Sequence, residues 1–191
     1  MASFGLLCRR NLRMVAVVAA LAVSSLAQAD EYADVTQLLR QGKPSEALAR
    51  ADRYLAGKPR DPQMRFLRGV ILTEQGNTAD AVSVFTKLTE DYPELPEPYN
   101  NLAALYAGQG QFDKARSALE MAIRINPSYA TAHENLGDVY AKLASQAYSR
   151  ALQLDRGNTT VQPKLALIGE LFAPGARADR PAPAASAAGT R

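Results

Sequence analysis

The residue types on which most enzymes depend are scarce in this sequence. Among its 191 residues there is one histidine, His133, and one cysteine, Cys8. Nucleophilic catalysis needs a serine, cysteine or lysine activated by a base, and general acid–base catalysis usually recruits histidine. The sequence contains no His-Glu spacing typical of a metal site and no glycine-rich loop ahead of Lys-Ser or Lys-Thr. It therefore predicts a protein that is not an enzyme and that uses no cofactor and no metal.

A period of 34 residues runs through the chain and indicates how its elements are arranged. Three residue types recur at this interval: Gly42, Gly76 and Gly110; Ala47, Ala81 and Ala115; Pro59, Pro93 and Pro127. A fixed period of this length marks small supersecondary units that bury their apolar faces by stacking on their neighbours. The pattern favours a binding protein over a catalyst.

Between about Asp30 and Asp155, apolar residues recur at intervals of three and four, which predicts helices. The pairs Asp61-Pro62 and Asn126-Pro127 predict helix ends, because the residue before a proline is pushed out of helical geometry. The glycines and prolines between the apolar runs divide them into pairs of helices.

The fourth unit lacks the turn that the earlier units carry. No Gly, Pro or Asn occurs between Lys142 and Arg156, where the period would place a turn. The apolar residues at 136, 140, 143, 147, 151 and 154 form one stripe at helical spacing. We therefore expect a single helix from about Ala130 to Asp155.

The unit from Pro96 to Pro127 has the most complete pattern. Its two halves carry aromatic, leucine and small residues at Tyr99, Leu102, Ala103 and Tyr106, then at Gly110, Ala115, Leu119 and Ala122. In this pattern the chain resembles the tetratricopeptide repeat family. The resemblance implies an all-α fold: a right-handed superhelical solenoid of antiparallel helix pairs, with about three and a half repeats plus a C-terminal capping helix.

The solenoid is expected to cover residues 30–172, with units at about 30–61, 62–95, 96–129 and 130–156 and a capping helix at 160–172. Residues 158–160 are suited to begin that last helix, and Pro163 fits its first turn. Its apolar face is expected to comprise Val161, Leu165, Ile168 and Phe172. The Ala- and Pro-rich tail at 173–191 is predicted to be disordered.

The first 29 residues have the pattern of a secretory signal peptide. Basic residues at Arg9–Arg13 precede an apolar run, Met14–Leu26, which is shorter than the ~20 residues of a membrane-spanning helix. Cleavage after Ala29 would leave 19 basic and 19 acidic residues and no cysteine. We therefore expect a periplasmic or secreted protein, with no nucleic acid partner and no membrane insertion after cleavage.

Three positions depart from the family's pattern or fill it unusually. Arg65 and Arg68 stand where an aromatic residue and a leucine are usual, so packing in the second unit is expected to rest on Met64, Leu67 and Ile71. His133 stands where the family commonly places a bulky ring. The resemblance therefore implies that this ring is packed between helices.

In the family, the first helix of each unit lines the concave face, so the resemblance implies that its non-packing residues meet a partner. Mapped by phase, these are Gln63, Phe66, Val70 and Thr73, then Glu97, Asn100, Asn101 and Ala104, and then Glu134, Asn135 and Asp138. Asn101 and Asn135 share one phase, and a carboxamide is able to donate to and accept from a peptide backbone at once. The alternative is that each bonds its own neighbouring helix.

The predicted function is that of a non-catalytic interaction module, an adaptor in the bacterial envelope that binds a peptide or helix of a protein in this groove. Asn100 and Glu134 stand where some family members carry cations that clamp a C-terminal carboxylate, so polar or basic segments are favoured there. The alternative is a structural homo-oligomer assembled through the extended fourth-unit helix, by Tyr148, Ala151, Leu152 and Leu154.

Overall fold

In a computed structural model, residues 31–173 are described, and every regular element among them is an α-helix. Helix α1 covers residues 31–40. The helices that follow are α2 (Pro44–Gly57), α3 (Pro62–Glu74), α4 (Thr78–Asp91), α5 (Pro96–Gly108), α6 (Phe112–Ile125), α7 (Ala130–Leu154) and α8 (Val161–Leu171). The all-α prediction is confirmed. The expected signal peptide at 1–29 and all but the first residue of the expected tail lie outside the described residues.

The periodic glycines form the turns within the helix pairs. Gly42, Gly76 and Gly110 have φ angles of 70°, 73° and 74°, in the left-handed region that glycine enters without a steric penalty. After α3, the N–H of Gly76 donates to the carbonyl of Thr73 at 3.0 Å, which ends the helix in a tight turn. The helix ends predicted from the two proline pairs are also confirmed, because α3 begins at Pro62 and α6 ends at Ile125.

Helix α7 is continuous over 25 residues, which confirms the single helix expected for the fourth unit. No turn interrupts it, because the segment contains neither a left-handed glycine nor a proline. Its charged residues at 134, 138, 142 and 150 are spread along its length. Among residues 31–173, no helix combines the length and the apolar character needed to cross a membrane.

Residues 31–105 form one compact unit, in which α3 packs against α2 and α4. Its core includes Val35, Ala47, Met64 and Ile71, all fully buried, with Leu67 packed against them. The small side chains of α2 leave room for the larger side chains of α3. The packing expected of Met64, Leu67 and Ile71 is therefore confirmed.

Helices α3 and α4 approach each other closely at Gly69. A Cβ added to this residue would lie 2.6 Å from two ring carbons of Phe85, which is fully buried. At Gly137, which holds the same phase two periods later, an added Cβ would have no neighbour within 4 Å. Glycine is therefore needed for packing at position 69 and not at position 137.

A hydrogen-bonded cluster joins α1, α2 and the start of α3. The hydroxyl of Tyr32 donates to Oδ2 of Asp61 at 2.6 Å, and the hydroxyl of Tyr54 donates to the same oxygen at 3.1 Å. The other carboxylate oxygen of Asp61 accepts from the backbone N–H of Met64 at 2.8 Å and so caps α3. Burial raises the pKa of Tyr54, and its hydrogen bonds with Tyr32 and Asp61 raise it further.

Residues 106–173 form a second compact unit, in which α7 packs against both α6 and α8. Val161 is buried, and Leu165, Ile168 and Phe172 are half-buried, so the apolar face expected for α8 is confirmed. The ammonium of Lys142 on α7 lies 3.7 Å from the centroid of the Phe172 ring, and that of Lys164 on α8 lies 5.3 Å from that of Tyr148. These cation–π contacts add to the apolar packing of α8 on α7.

The packing role expected of His133 is wrong. The histidine is exposed in the first turn of α7, and its Nε2 lies 3.0 Å from the backbone carbonyl oxygen of Pro127. The ring thus lies over the turn that precedes α7 instead of between two helices.

The carboxylate of Asp61 makes a contribution to stability that depends on pH. Burial alone would raise its pKa, but hydrogen bonds from Tyr32, Met64 and Tyr54 outweigh that effect, and the pKa is lowered. Because its pKa is lower in the folded state, the ionised carboxylate stabilises the fold fully at a pH above the unfolded-state pKa of about 3.9. This stabilisation is lost as the pH falls through the folded-state pKa. We expect Asp61→Asn, which keeps a capping side chain, to lower the free energy of unfolding at pH 7 by more than at pH 3.

Urea denaturation at the two pH values measures this difference. The matched control is Glu90→Gln, which neutralises an exposed carboxylate of α4 for which the described chain shows no hydrogen bond. An equal loss of stability from Asp61→Asn at pH 7 and pH 3 would contradict the role given to this carboxylate.

Candidate binding surface

The four second-unit residues mapped to the binding surface lie along one side of α3. We call Gln63, Phe66, Val70 and Thr73 the α3 face; their spacing of three, four and three residues keeps them on one side of the helix. Gln63 and Thr73 are exposed at its ends, while Phe66 and Val70 are half-buried between them. The α3 face is thus an apolar patch with a polar group at each end.

Phe66 is held in place by the core beneath it. Its ring centroid lies 5.6 Å from that of Phe85, with the ring planes at 58°, which is within the range of favourable aromatic pairs. Phe85 is itself fixed by its contact with Gly69. The exposed part of the Phe66 ring is therefore positioned before any partner binds, and this reduces the entropy lost on binding.

On α5, the four mapped residues differ in how far they reach the surface. Glu97 and Ala104 are exposed and Asn101 is half-buried, whereas Asn100 is only 8% exposed. Asn100 is thus a buried polar residue and leaves little surface for a partner, contrary to the expected placement. The other three positions remain accessible.

Asn101 makes one hydrogen bond within its own helix. Its Nδ2 donates to the carbonyl oxygen of Glu97 at 2.9 Å, so one of its two amide N–H groups is already used. Its Oδ1 accepts no hydrogen bond from the described part of the chain and is available to a backbone N–H of a partner. The observed bond lies within α5, whereas the expected alternative was a bond to the neighbouring helix, and the remaining capacity of Asn101 is mainly that of an acceptor.

In the compact unit of residues 106–173, the mapped residues lie in the N-terminal half of α7. Glu134 is exposed, and Asn135 and Asp138 are half-buried. All three side chains already interact with other groups of the chain. The two carboxylates give this part of α7 a negative charge.

Residues 31–173 contain no group of three His, Cys, Asp or Glu side chains that is arranged to hold a metal ion. The one histidine bonds a backbone carbonyl oxygen at Pro127.

The sequence did not predict a cleft on the other side of α3. Arg65 and Arg68 line it together with residues of α2 and α4. The only feature of the sequence that pointed to this cleft was the presence of arginines at positions where the repeat pattern places an aromatic residue and a leucine.

Comparison with family models places the repeats within the helical part of the chain described above. Two models described as tetratricopeptide repeat match residues 32–96 and 84–117, and one described as TPR repeat matches residues 105–143. Together the matches cover more than half of the chain.

Individual relatives share the repeats and differ in length. A protein of Arabidopsis thaliana, the tetratricopeptide repeat domain-containing protein PYG7, chloroplastic, is 35% identical over 79 residues, which are 39% of this chain and 26% of that protein. The chain spans 26% or less of the length of the curated relatives it matches first.

Solved structures share the fold. The TPR protein TTC0263 from Thermus thermophilus has a TM-score of 0.57 at 24% identity, covering 76% of this chain and 82% of that one. YrrB, described as a TPR protein with an unusual peptide-binding site, has a TM-score of 0.51 at 29% identity, covering 55% and 54%.

Proposed function

We propose, on the premise that this chain belongs to the tetratricopeptide repeat family, that it binds a peptide or helix of a partner protein through the exposed faces of α3 and α5. The tetratricopeptide repeat is a protein–protein interaction scaffold and is generally not catalytic. Fold alone does not specify a partner, so the proposal depends on the residues that these faces present.

The observation that carries the proposal is the arrangement of the α3 face. Phe66 is held by Phe85 and remains partly exposed beside Val70, with Gln63 and Thr73 at the ends of the patch. A fixed aromatic side chain next to polar groups is the usual anchor of a protein-binding site. The peptide-binding site described for YrrB, which shares this fold, supports the same use of the repeats.

The α5 and α7 faces add polar contacts. Asn101 offers an acceptor for a backbone N–H, and Glu97 adds a negative charge on the same side of α5. Glu134 and Asp138 add negative charge on α7. Asn101 and Glu97 support binding of a polar or basic segment that has an apolar residue for the α3 face, and Glu134 and Asp138 favour a basic segment on α7.

We also propose that the protein acts in the bacterial envelope after export. The support is the sequence pattern of residues 1–29, with basic residues, then a short apolar run, then Ala27 and Ala29 before the expected cleavage point.

Substitutions on the α3 and α5 faces are expected to weaken peptide binding. Peptides selected from a random 12-residue library on the full chain serve as probes, and their affinity is measured by fluorescence anisotropy. We expect Asn101→Ala to weaken binding about threefold to tenfold through the loss of one hydrogen bond. Thr73→Lys is expected to weaken it further, because a cation at the end of the α3 face, next to Val70, would repel a basic segment.

Gln41→Ala is the matched control, because it removes an exposed amide from a turn outside these faces. Its affinity for the same peptides should equal that of the unchanged protein. The proposal is wrong if Asn101→Ala and Thr73→Lys also bind with unchanged affinity.

A second candidate function, the structural homo-oligomer, is favoured by exposed leucines near the C-terminal end of the described chain. Leu154, Leu167 and Leu171 are 73%, 63% and 62% exposed. Of the residues expected at the interface, Tyr148, Ala151 and Leu152 are half-buried, and Tyr148 contacts Lys164 of α8. The interface with a second copy would therefore use Leu154 and the leucines of α8.

Light scattering of the full chain over a hundredfold range of concentration tests this candidate. We expect a dimer at high concentration that is lost in the double variant Leu167→Glu and Leu171→Glu, because two buried carboxylates would be unpaired. The control, Gln162→Glu with Ala166→Glu, adds the same charge to exposed positions on another side of α8. A monomer at every concentration removes the homo-oligomer.

A further inference from the structure

The cleft opposite the α3 face has the features of a second binding site. At 3.6 residues per turn, Arg65 and Arg68 lie on the side of α3 that faces away from Phe66 and Val70. Together with the end of α2 and one side of α4, they enclose about 330 Å³. This volume is at the lower end of the range for ligand pockets, which is about 300 to 1,000 Å³.

Ion pairs with two other helices hold the arginines. Nη1 of Arg65 lies 2.6 Å from Oδ2 of Asp91 on α4, and Nε of Arg68 lies 2.7 Å from Oδ1 of Asp52 on α2. An aromatic residue and a leucine at these positions would fill the interior between the helices. The arginine head groups are instead directed to carboxylates on either side, and a cleft is present where that packing would be.

The cleft is rich in hydrogen-bond donors. A guanidinium has five N–H groups, and each of these ion pairs engages a single nitrogen. The Arg65 side chain is only 14% exposed, which strengthens its electrostatic interactions. Lys87, also in the lining, has neither an ion pair nor a hydrogen bond within the part of the chain that the structure describes.

The remaining lining favours a singly charged group on a short apolar stem. Leu55, Pro59 and Val84 supply apolar contacts. Asp80 also lines the cleft and accepts from Nδ2 of Asn77 at 2.7 Å. With Asp52 and Asp91 as well, three carboxylates lie in or beside the cleft and would repel a dianionic phosphate.

We propose that this cleft binds the carboxylate of a glutamate side chain carried by a segment of a partner protein. The planar carboxylate matches the guanidinium geometry of Arg65 and Arg68, and Lys87 supplies an ammonium that has no ion pair within the described residues. Lys87 and Ser83 are exposed at the cleft, so a protein segment covers them, whereas a free small acid leaves them in water. The site shares no residue with the α3 face and does not depend on the proposed function.

Titration of the ¹⁵N-labelled full chain by NMR tests this site. The probe is the peptide acetyl-Leu-Glu-Leu-amide, and acetyl-Leu-Gln-Leu-amide is its neutral counterpart. We expect saturable shifts at residues 80–87 of α4, and binding of the Glu peptide that is about tenfold tighter than that of the Gln peptide. Free pentanoate, which has a carboxylate and an apolar stem but no peptide backbone, should bind more weakly than the Glu peptide.

Lys87→Gln is the decisive variant, because the exposed side chain is not needed for packing. It should remove the preference for Glu over Gln, while Arg53→Gln, which removes an exposed cation outside the cleft, should retain it. Equal affinity for the two peptides, shifts confined to other helices, or a Lys87→Gln variant that keeps the preference would each overturn the proposal. Pentanoate binding as tightly as the Glu peptide would assign the cleft to a free acid and overturn the assignment to a partner segment.

Discussion

The contact between Gly69 and the ring of Phe85 fixes α3 against α4. The α3 face and the cleft on the opposite side of α3 both depend on this contact. Since the ring occupies the space where a Cβ would be, the two helices approach more closely than two larger residues would allow. The same ring contacts Phe66 and so positions the apolar centre of the α3 face. On the other side of α3, Arg65 and residues of α4 line the cleft.

The two sides of α3 use different chemistry. The α3 face combines Phe66 and Val70 with polar ends and suits a segment that buries an apolar residue. The opposite side has arginines in place of apolar packing, and the core of the unit rests on Met64 and Ile71. Surface ion pairs contribute only about 0 to 1 kcal/mol to stability. The pair of Arg68 with Asp52, whose side chains are 33% and 49% exposed, is therefore a weak reason, in terms of stability alone, for arginine at position 68.

Those features that depend on local signals were predictable from the sequence. The turns at Gly42, Gly76 and Gly110 follow from the period, and the continuous α7 follows from the absence of a turn residue between Lys142 and Arg156. Local signals of this kind act over a few residues and need no knowledge of neighbouring helices.

Features that depend on packing between helices were not predictable in the same way. The exposure of His133 depends on how the first turn of α7 meets the preceding turn, and the burial of Asn100 depends on what surrounds α5. The cleft depends on two acids, Asp52 and Asp91, on helices to either side of α3. The sequence marked Arg65 and Arg68 as departures, but it does not contain the distances to those partners.

The stability of Gly69→Ala, compared with Gly137→Ala, tests the central contact most directly. The measurement is the free energy of unfolding in urea for the full chain and the two variants. We expect Gly69→Ala to be less stable by about 1 to 3 kcal/mol, because the buried Phe85 ring has to move. Gly137→Ala should be as stable as the original protein or more stable by up to about 1 kcal/mol, because alanine favours the helix and meets no neighbour. A Gly69→Ala protein as stable as Gly137→Ala would contradict the account.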